Sequence, residues 1–284
     1  MSLPMFSFLP RMRRAPLVPA IRLDGVIDAG GRFGRGLNLY DLDEILEPAF
    51  SYRHSRHVAL VINSPGGSPV QSALILRRIR TLAKKHNKTV LGFAEDVAAS
   101  GGYMLAIAAD EIFADASTMI GSIGVVSSGF GFTNLLEKAG VERRLYTAGK
   151  SKASLDPFSP EDPDEVAKLK AMQEDVHETF ISLVKDRRGD KLKGDDETLF
   201  NGDVWTGEKA VNLGLIDGLG DMHTVLQEKL GSDVRVRFVE SRRGFLRQQL
   251  GLDMSHDLRG LLGALVDGAL DAAEKRSLWA RFGR

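Results

Sequence analysis

The sequence Glu-Asp-Val-Ala-Ala-Ser-Gly-Gly-Tyr, at residues 95–103, decides how this chain folds. It follows a short apolar strand predicted at residues 90–93 and opens an apolar helix that begins at Gly101. At such a junction the chain turns sharply, and the first N–H groups of the helix have no partner within it. Ser100 is therefore a candidate nucleophile on a strand-to-helix turn, although the Gly-x-Ser-x-Gly pattern is absent. The alternative is that Ser100 only caps the helix, as serine often does.

The flanking sequence alternates between strand and helix patterns. A continuous apolar run at residues 57–63 is typical of a parallel strand covered on both faces, and an amphipathic helix follows it. Further strands are predicted at residues 21–27, 111–115, 215–217 and 234–240, of which 215–217 is expected at a sheet edge. This alternation favours an α/β layered fold with a largely parallel sheet.

Two later helical patterns set the expected organisation of the chain. A long amphipathic helix is predicted from Asp164 to about Arg188, and a second apolar helical face lies within residues 258–282. We therefore expect an N-terminal tail at residues 1–17, one main domain at 18–230, and a C-terminal strand and helical extension at 231–284.

The composition excludes several classes of function. The 38 basic and 38 acidic residues cancel, so no overall field favours a nucleic acid partner. The chain has no cysteine, which excludes disulfides, thiolate metal sites and cysteine nucleophiles. No apolar run reaches the roughly 18 residues that span a bilayer. We expect a cytoplasmic protein, with at most peripheral membrane contact.

A second glycine-rich turn adds chemistry to the first. Residues 64–68, Ser-Pro-Gly-Gly-Ser, follow the buried strand at 57–63. Two strand-to-helix junctions of one parallel sheet open at the same edge, so the amides of Gly67 and Gly101 can both face one oxygen beside Ser100. Two backbone donors next to a serine hydroxyl are what acyl transfer requires.

A serine nucleophile also needs a base. None of the six histidines lies in a glycine-rich or strand-end context, which disfavours a Ser-His-Asp triad. Lys150 and Lys152 lie in Gly-Lys-Ser-Lys-Ala, a loop of small residues between apolar segments. A lysine that is desolvated there can accept a proton from Ser100. The alternative is that both are solvated loop lysines.

Four motifs in this order resemble the signal peptide peptidase A family of serine-lysine proteases. They are Asn-Ser-Pro-Gly-Gly-Ser at 63–68, Ala-Ala-Ser-Gly-Gly-Tyr at 98–103, Ile-Gly-Ser-Ile-Gly-Val at 120–125 and Gly-Lys-Ser-Lys at 149–152. The segment at 206–217 also matches, and the resemblance covers roughly residues 18–230. It implies a Clp-protease/crotonase-like fold.

The resemblance also implies roles for individual residues. Ser100 would be the nucleophile, Lys152 rather than Lys150 its base, and Ser122 the serine that orients the lysine amine. The oxyanion amides would be those of Gly67 and Gly101, and no metal or organic cofactor is needed. In single-copy relatives the lysine loop reaches the neighbouring subunit's site, so a homo-oligomeric ring is expected.

The sequence therefore predicts a serine endopeptidase for extended or membrane-released peptides, such as signal peptide remnants. Tyr103 and Met104 are expected to border a small apolar specificity pocket. A crotonase-type acyl-CoA enzyme is an alternative, for which Glu95 and Asp96 are the nearby acids. The other alternative is a catalytically silent scaffold that binds peptides in the same cleft.

Overall fold

A computed structural model of the chain describes residues 15–29, 36–149, 152–240 and 276–283. They contain one eight-stranded sheet. Its strands are β1 (Leu17–Asp24), β2 (His57–Ser64), β3 (Thr89–Ala99), β4 (Glu111–Ala114), β5 (Met119–Gly121), β6 (Val204–Thr206), β7 (Gly218–Leu219) and β8 (Arg235–Phe238). The order is β6-β5-β3-β2-β1-β8, and β4 lies between β3 and β7. Only β5 and β6 pair antiparallel, which confirms the predicted α/β fold with a largely parallel sheet.

Helices connect the strands, as the alternating pattern predicts. They are α1 (Leu39–Ser51), α2 (Pro69–His86), α3 (Gly101–Ala106), α4 (Thr133–Lys138), α5 (Pro163–Arg188), α6 (Asp196–Leu199), α7 (Gly207–Asn212) and α8 (Met222–Leu230). A short C-terminal helix covers residues 276–280. Among the described residues, every helix is too short or too polar to cross a bilayer.

Strand β3 is the centre of the sheet and extends beyond its predicted end at residue 93. It pairs with β2 on one edge, and with β4 and then β5 on the other. Between the pairs Ile62–Ala94 and Ser64–Ala98, the register with β2 shifts. The bulge that results lets β3 continue to the residue before Ser100, with neighbours on both edges.

One asparagine side chain fills the bulge. The Nδ2 of Asn63 donates to Asp96 Oδ2 at 3.2 Å, and its Oδ1 accepts from the Val97 N–H at 3.3 Å. These bonds satisfy backbone and side-chain groups that the shifted register would leave without partners. The end of β3 is therefore tied to the end of β2, just before the turns that follow both strands.

The main hydrophobic core includes every residue of α3 except its first two glycines. All six residues of the helix are buried, and the hydroxyl of Tyr103 donates to the Leu215 carbonyl at 2.7 Å. A second core cluster includes Val225 and Leu226 of α8. The third joins Val97 and Ala99 of β3 to Phe282.

The edge strand predicted at residues 215–217 is wrong. Leu215 and Ile216 are both buried in a bend that follows Gly214, whose φ is +73°, and β7 begins only at Gly218. The carboxylate of Asp217 accepts from the Ile112 N–H at 2.8 Å. The Leu215 N–H donates to the Ala210 carbonyl of α7 at 2.9 Å rather than to a strand, so packing against the core overrides the strand pattern.

Other predictions stay untested. The structure does not describe residues 1–14, which are most of the predicted N-terminal tail, nor Lys150 or residues 241–275. The division of the chain at residues 17 and 230 stays a prediction. Strand β8 does pair with β1, and Phe282 contacts β3, so both parts of the C-terminal extension that the structure describes pack on the sheet.

A buried arginine holds the bend that supports Tyr103. Arg188 is 4% exposed; its guanidinium donates to the Gly214 carbonyl at 2.7 and 2.9 Å and to Asp217 at 2.8 Å. Burial raises the pKa of Asp217, but hydrogen bonds from Arg188, Lys191 and the Ile112 N–H outweigh burial and leave that pKa below its usual value. The carboxylate therefore stays charged and paired.

We predict that Arg188→Met lowers the free energy of unfolding by roughly 3 kcal/mol, because it leaves a partly buried carboxylate and a buried carbonyl without their main donor. Urea unfolding followed by circular dichroism measures this change. The control is Arg144→Met, which removes an exposed ion pair with Glu142 and should leave the free energy of unfolding nearly unchanged. Equal losses in the two variants would contradict the assigned role of Arg188.

Candidate active site

Ser100 lies on the turn between β3 and α3 with an unusual backbone conformation. Its φ is +53° and its ψ is −124°, and its side chain makes no capping hydrogen bond. Its carbonyl accepts from the N–H groups of Tyr103 and Met104, and its own N–H donates to the Gly121 carbonyl at 2.8 Å. The backbone of Ser100 therefore starts the helix, while the hydroxyl does not cap it, so the capping alternative is wrong.

The turns that follow β2 and β3 pack directly against each other. A Cβ atom on Gly66 would lie 2.8 Å from both the Ser100 Cβ and the Gly101 nitrogen. A Cβ atom on Gly102 would lie 2.3 Å from the Ser64 carbonyl oxygen. Only glycine allows this approach, because any side chain at either position would clash with backbone or with Ser100. The two junctions predicted to open at one edge of the sheet are thus in contact.

The predicted oxyanion residues lie beside Ser100. Ile27 donates to the Gly66 carbonyl and accepts from the Ser68 N–H, each at 2.8 Å, which pairs it with the strand-like residues around Gly67. In such pairing the intervening Gly67 N–H points away from Ile27. Among the hydrogen bonds of the described residues, neither the Gly67 nor the Gly101 amide is a donor. Both amides are therefore available to a ligand.

One cavity of about 910 Å³ brings these groups together. Ser100, Gly101, Gly67 and Ser122 all line it. Its apolar lining includes Val26, Ile27, Met104, Val176 and Phe180. Tyr103 is not part of the lining, because its side chain is fully buried on Leu215. The expected apolar pocket thus includes Met104, whereas the prediction for Tyr103 is wrong.

Ser122 reaches this cavity from the end of β5. It is 5% exposed and has a φ of +50°, and its N–H donates to the Asp203 carbonyl at 2.6 Å. Ser100 and Ser122 therefore both have left-handed backbone conformations at the ends of neighbouring strands. Such conformations are uncommon for residues other than glycine, and they cluster at functional sites.

Among the described residues of one copy of the chain, no lysine lines the cavity of Ser100. Lys152 is exposed in a turn, where its N–H donates to the Gly149 carbonyl at 3.2 Å. It is absent from the lining of the cavity, and Lys150 lies outside the described residues. For Lys152 to act as the base, it must therefore reach Ser100 by a rearrangement of the loop or from another copy.

Sequence reasoning missed one histidine of the cavity. His177 on α5 lines it, and its Nε2 lies 3.1 Å from the Ile123 carbonyl oxygen. The signal was its position beside Val176 and one turn before Phe180 on the apolar stripe of the predicted helix. His177 therefore holds the segment that follows Ser122 against α5.

The acids considered for an acyl-CoA enzyme are engaged elsewhere. Glu95 accepts two hydrogen bonds from Arg22, at 2.7 and 2.9 Å, and Asp96 accepts from Asn63. Neither lines the cavity; Asp28 is the carboxylate that does so among the described residues. The acids next to Ser100 in sequence are thus structural.

Comparison with known proteins adds the family. The model of peptidase family S49 matches residues 82–236. The putative signal peptide peptidase SppA of Enterococcus faecium is 31% identical over 226 residues, which are 77% of this chain and 64% of that protein. A protein of Brucella abortus named Na(+)/H(+) antiporter NhaA is 51% identical over 282 residues, 97% of this chain. The chain spans only 38% of the length of that relative.

The fold is also found in a solved structure. The 1510-N membrane-bound stomatin-specific protease, solved as a lysine-to-alanine mutant with a substrate peptide, has a TM-score of 0.50 at 16% identity. The match covers 84% of this chain and 99% of the other. It confirms the predicted Clp-protease-like fold. With more than half of its length matched by the family model, the chain belongs to peptidase family S49, in which its relatives include SppA-like proteases.

Proposed function

We propose that the chain is a serine endopeptidase that uses a Ser-Lys dyad. Ser100 is the nucleophile, Lys152 its base, Ser122 the group that holds the lysine amine, and the amides of Gly67 and Gly101 bind the oxyanion. One observation carries the proposal: an uncapped serine on a strained turn lies in one cavity with both glycines and Ser122. These are the components of acyl transfer.

The proposed roles define the reaction. The neutral amine of Lys152 takes the proton of the Ser100 hydroxyl as its oxygen attacks the scissile carbonyl. The Gly67 and Gly101 amides stabilise the negative oxygen of the tetrahedral intermediate. The lysine then gives the proton to the leaving amine, and the C–N bond breaks. Water attacks the acyl-enzyme by the same route and restores Ser100.

The substrate that fits this cleft is an extended peptide. After β5, residues 122–132 belong to no strand. Val125 and Val126 of this segment line the cavity, and so do Gly67 and Ser68, which follow β2 on the other side of β3. Backbone groups on unpaired segments are the usual means of binding an extended chain. The apolar lining favours an apolar side chain next to the scissile bond. Membrane-released peptides, including signal peptide remnants, have that character.

The lysine loop belongs to a larger exposed segment, which we call the arm (residues 125–149 and 152–162). Arg143 forms two hydrogen bonds with Asp156, at 2.8 and 3.1 Å, and its guanidinium lies 5.2 Å from the Phe158 ring centre. The Phe132 N–H donates to the Pro157 carbonyl at 2.6 Å. The two halves of the arm are therefore held together, with Lys152 between them.

The arm has an apolar surface that the single chain leaves uncovered. Of the fifteen large apolar side chains exposed among the described residues, nine lie in the arm. They are Val125, Val126, Phe130, Leu135, Val141, Leu145, Tyr146, Leu155 and Phe158. Exposed apolar surface of this extent marks an interaction site. We propose that a second copy covers it within a homo-oligomeric ring, and that Lys152 thereby completes the neighbour's site.

We predict that Ser100→Ala lowers kcat for peptide hydrolysis by at least about a thousandfold, because the nucleophile is lost. Hydrolysis of an internally quenched apolar peptide measures it. The control is Ser232→Ala, at an exposed serine that is not part of the cavity lining, which should retain full activity. A Ser100→Ala protein with unchanged thermal unfolding and a tenth of the normal activity would refute the mechanism.

Two arginine substitutions test which lysine of the loop is the base. Lys152→Arg keeps the charge but cannot give up its proton near neutral pH, so it should be inactive. Lys150→Arg, two residues earlier in the same loop, should remain largely active and is the matched control. The opposite pattern would move the base to Lys150.

Mixing two inactive variants tests the shared site. Subunits with Ser100→Ala and subunits with Lys152→Ala should together regain activity, because some junctions then combine an intact serine with a neighbour's intact lysine. Equal random mixing gives this pairing at about a quarter of the junctions of a closed ring. Sedimentation must first show that the variants co-assemble. Co-assembly without recovered activity would place the dyad within one chain.

A further inference from the structure

Residues 276–283 contact the sheet with one face and line the cavity of Ser100 with the other. The C-terminal helix (residues 276–280) and the turn after it place Phe282, only 6% exposed, against Val97 and Ala99 of β3. Trp279 and Met119 of β5 pack on the same cluster. Aromatic side chains three residues apart lie on one face of a helical segment, so this face anchors the segment beside the Ser100 turn.

The other face of the same segment lines the cavity of Ser100. Ser277, Leu278 and Arg281 all belong to that lining. Residues 277 and 281 are one helical turn apart and lie above one another on one face. The anchoring of Phe282 therefore fixes Arg281 at the cavity.

The charge of Arg281 is available to a ligand. Some arginines of the described residues pair with carboxylates, such as Arg22 with Glu95 and Arg188 with Asp217. Arg281, like Arg276 on the same helix, belongs to no ion pair between described residues, and unlike Arg276 it lines the cavity. Asp28 also lies in the cavity lining and has contacts of its own. Arg281 is exposed, so its planar fork of donors can take a carboxylate in two parallel hydrogen bonds.

We propose that Arg281 is a specificity-determining residue, which binds a carboxylate of the peptide substrate in the cavity of Ser100. This inference rests on the proposed function, because that cavity is then the substrate site. The carboxylate comes either from an acidic side chain or from the free C-terminus of the peptide. The substrate thus has an apolar residue at the scissile bond and a negative charge nearby.

Matched peptides test this role. Internally quenched apolar peptides are compared in pairs with Glu or Gln at each of the four positions on either side of the scissile bond, and with a free or an amidated C-terminus. One carboxylate should raise kcat/KM about five- to tenfold, mainly through KM, and added salt should weaken the effect. A preference at an internal position identifies an acidic side chain as the source. A preference for the free terminus identifies the terminus.

Variants then assign the preference to Arg281. Arg281→Gln should abolish it, and Arg281→Lys should retain part of it. Phe282→Ala, which releases the anchor, should lose it as well. The control is Arg276→Gln, on the same helix but outside the cavity lining, which should keep the full preference. The inference is overturned if no carboxylate is preferred, if Arg281→Gln keeps the preference, or if Arg276→Gln loses it equally.

A binding readout separates this inference from the proposed function. The dissociation constants of the same peptides for the Ser100→Ala protein, measured by fluorescence anisotropy, need no turnover. If the wild-type chain hydrolyses no peptide, the proposed function fails, but carboxylate-dependent binding that disappears in Ser100→Ala/Arg281→Gln still supports Arg281. Equal affinities for the Glu and Gln peptides and for both forms of the terminus would overturn its role, whatever the activity.

Discussion

The positive φ of Ser100 is the constraint on which the rest of the structure depends. Such a conformation costs about 1–3 kcal/mol for a residue other than glycine, so it persists only where the surroundings fix it. Strand β3 fixes it from one side, because pairing with β2 and β5 holds the chain up to Ala99. The buried helix α3 fixes it from the other. The hydroxyl is thereby held at the cavity without a cap.

The far end of α3 is held as firmly as its beginning. Arg187 donates to the carbonyls of Ile107 and Ala109, each at 2.8 Å, and Arg80 donates to that of Ala108 at 3.0 Å. Cations at the C-terminal end of a helix offset its dipole. The pKa of Arg187 is lowered, mainly by burial and then by repulsion from Arg80, while Asp110 opposes the decrease. Both ends of α3 are thus fixed by groups distant in sequence.

The sequence predicted those features that a local pattern encodes. The alternation of apolar runs and glycine-rich turns was enough to place Ser100, Gly67 and Gly101 at one edge of a parallel sheet. Features set by distant contacts could not be read in this way. The sequence at Leu215 and Ile216 has a strand pattern, but in the structure both side chains are buried in a bend. His177 lies on a helix whose orientation is decided only by packing. The anchoring of Phe282 on β3 has no local signal at all.

The central claim is that Ser100 is an activated nucleophile, and covalent labelling tests it most directly. The assembled protein is treated with a β-lactone probe, which acylates reactive serines, and the modified peptide is identified by mass spectrometry. Our account predicts one adduct, on Ser100, that is lost when Lys152 is replaced by alanine. An adduct on another residue with Ser100 unmodified, or Ser100 labelling that is unaffected by the loss of Lys152, would contradict it.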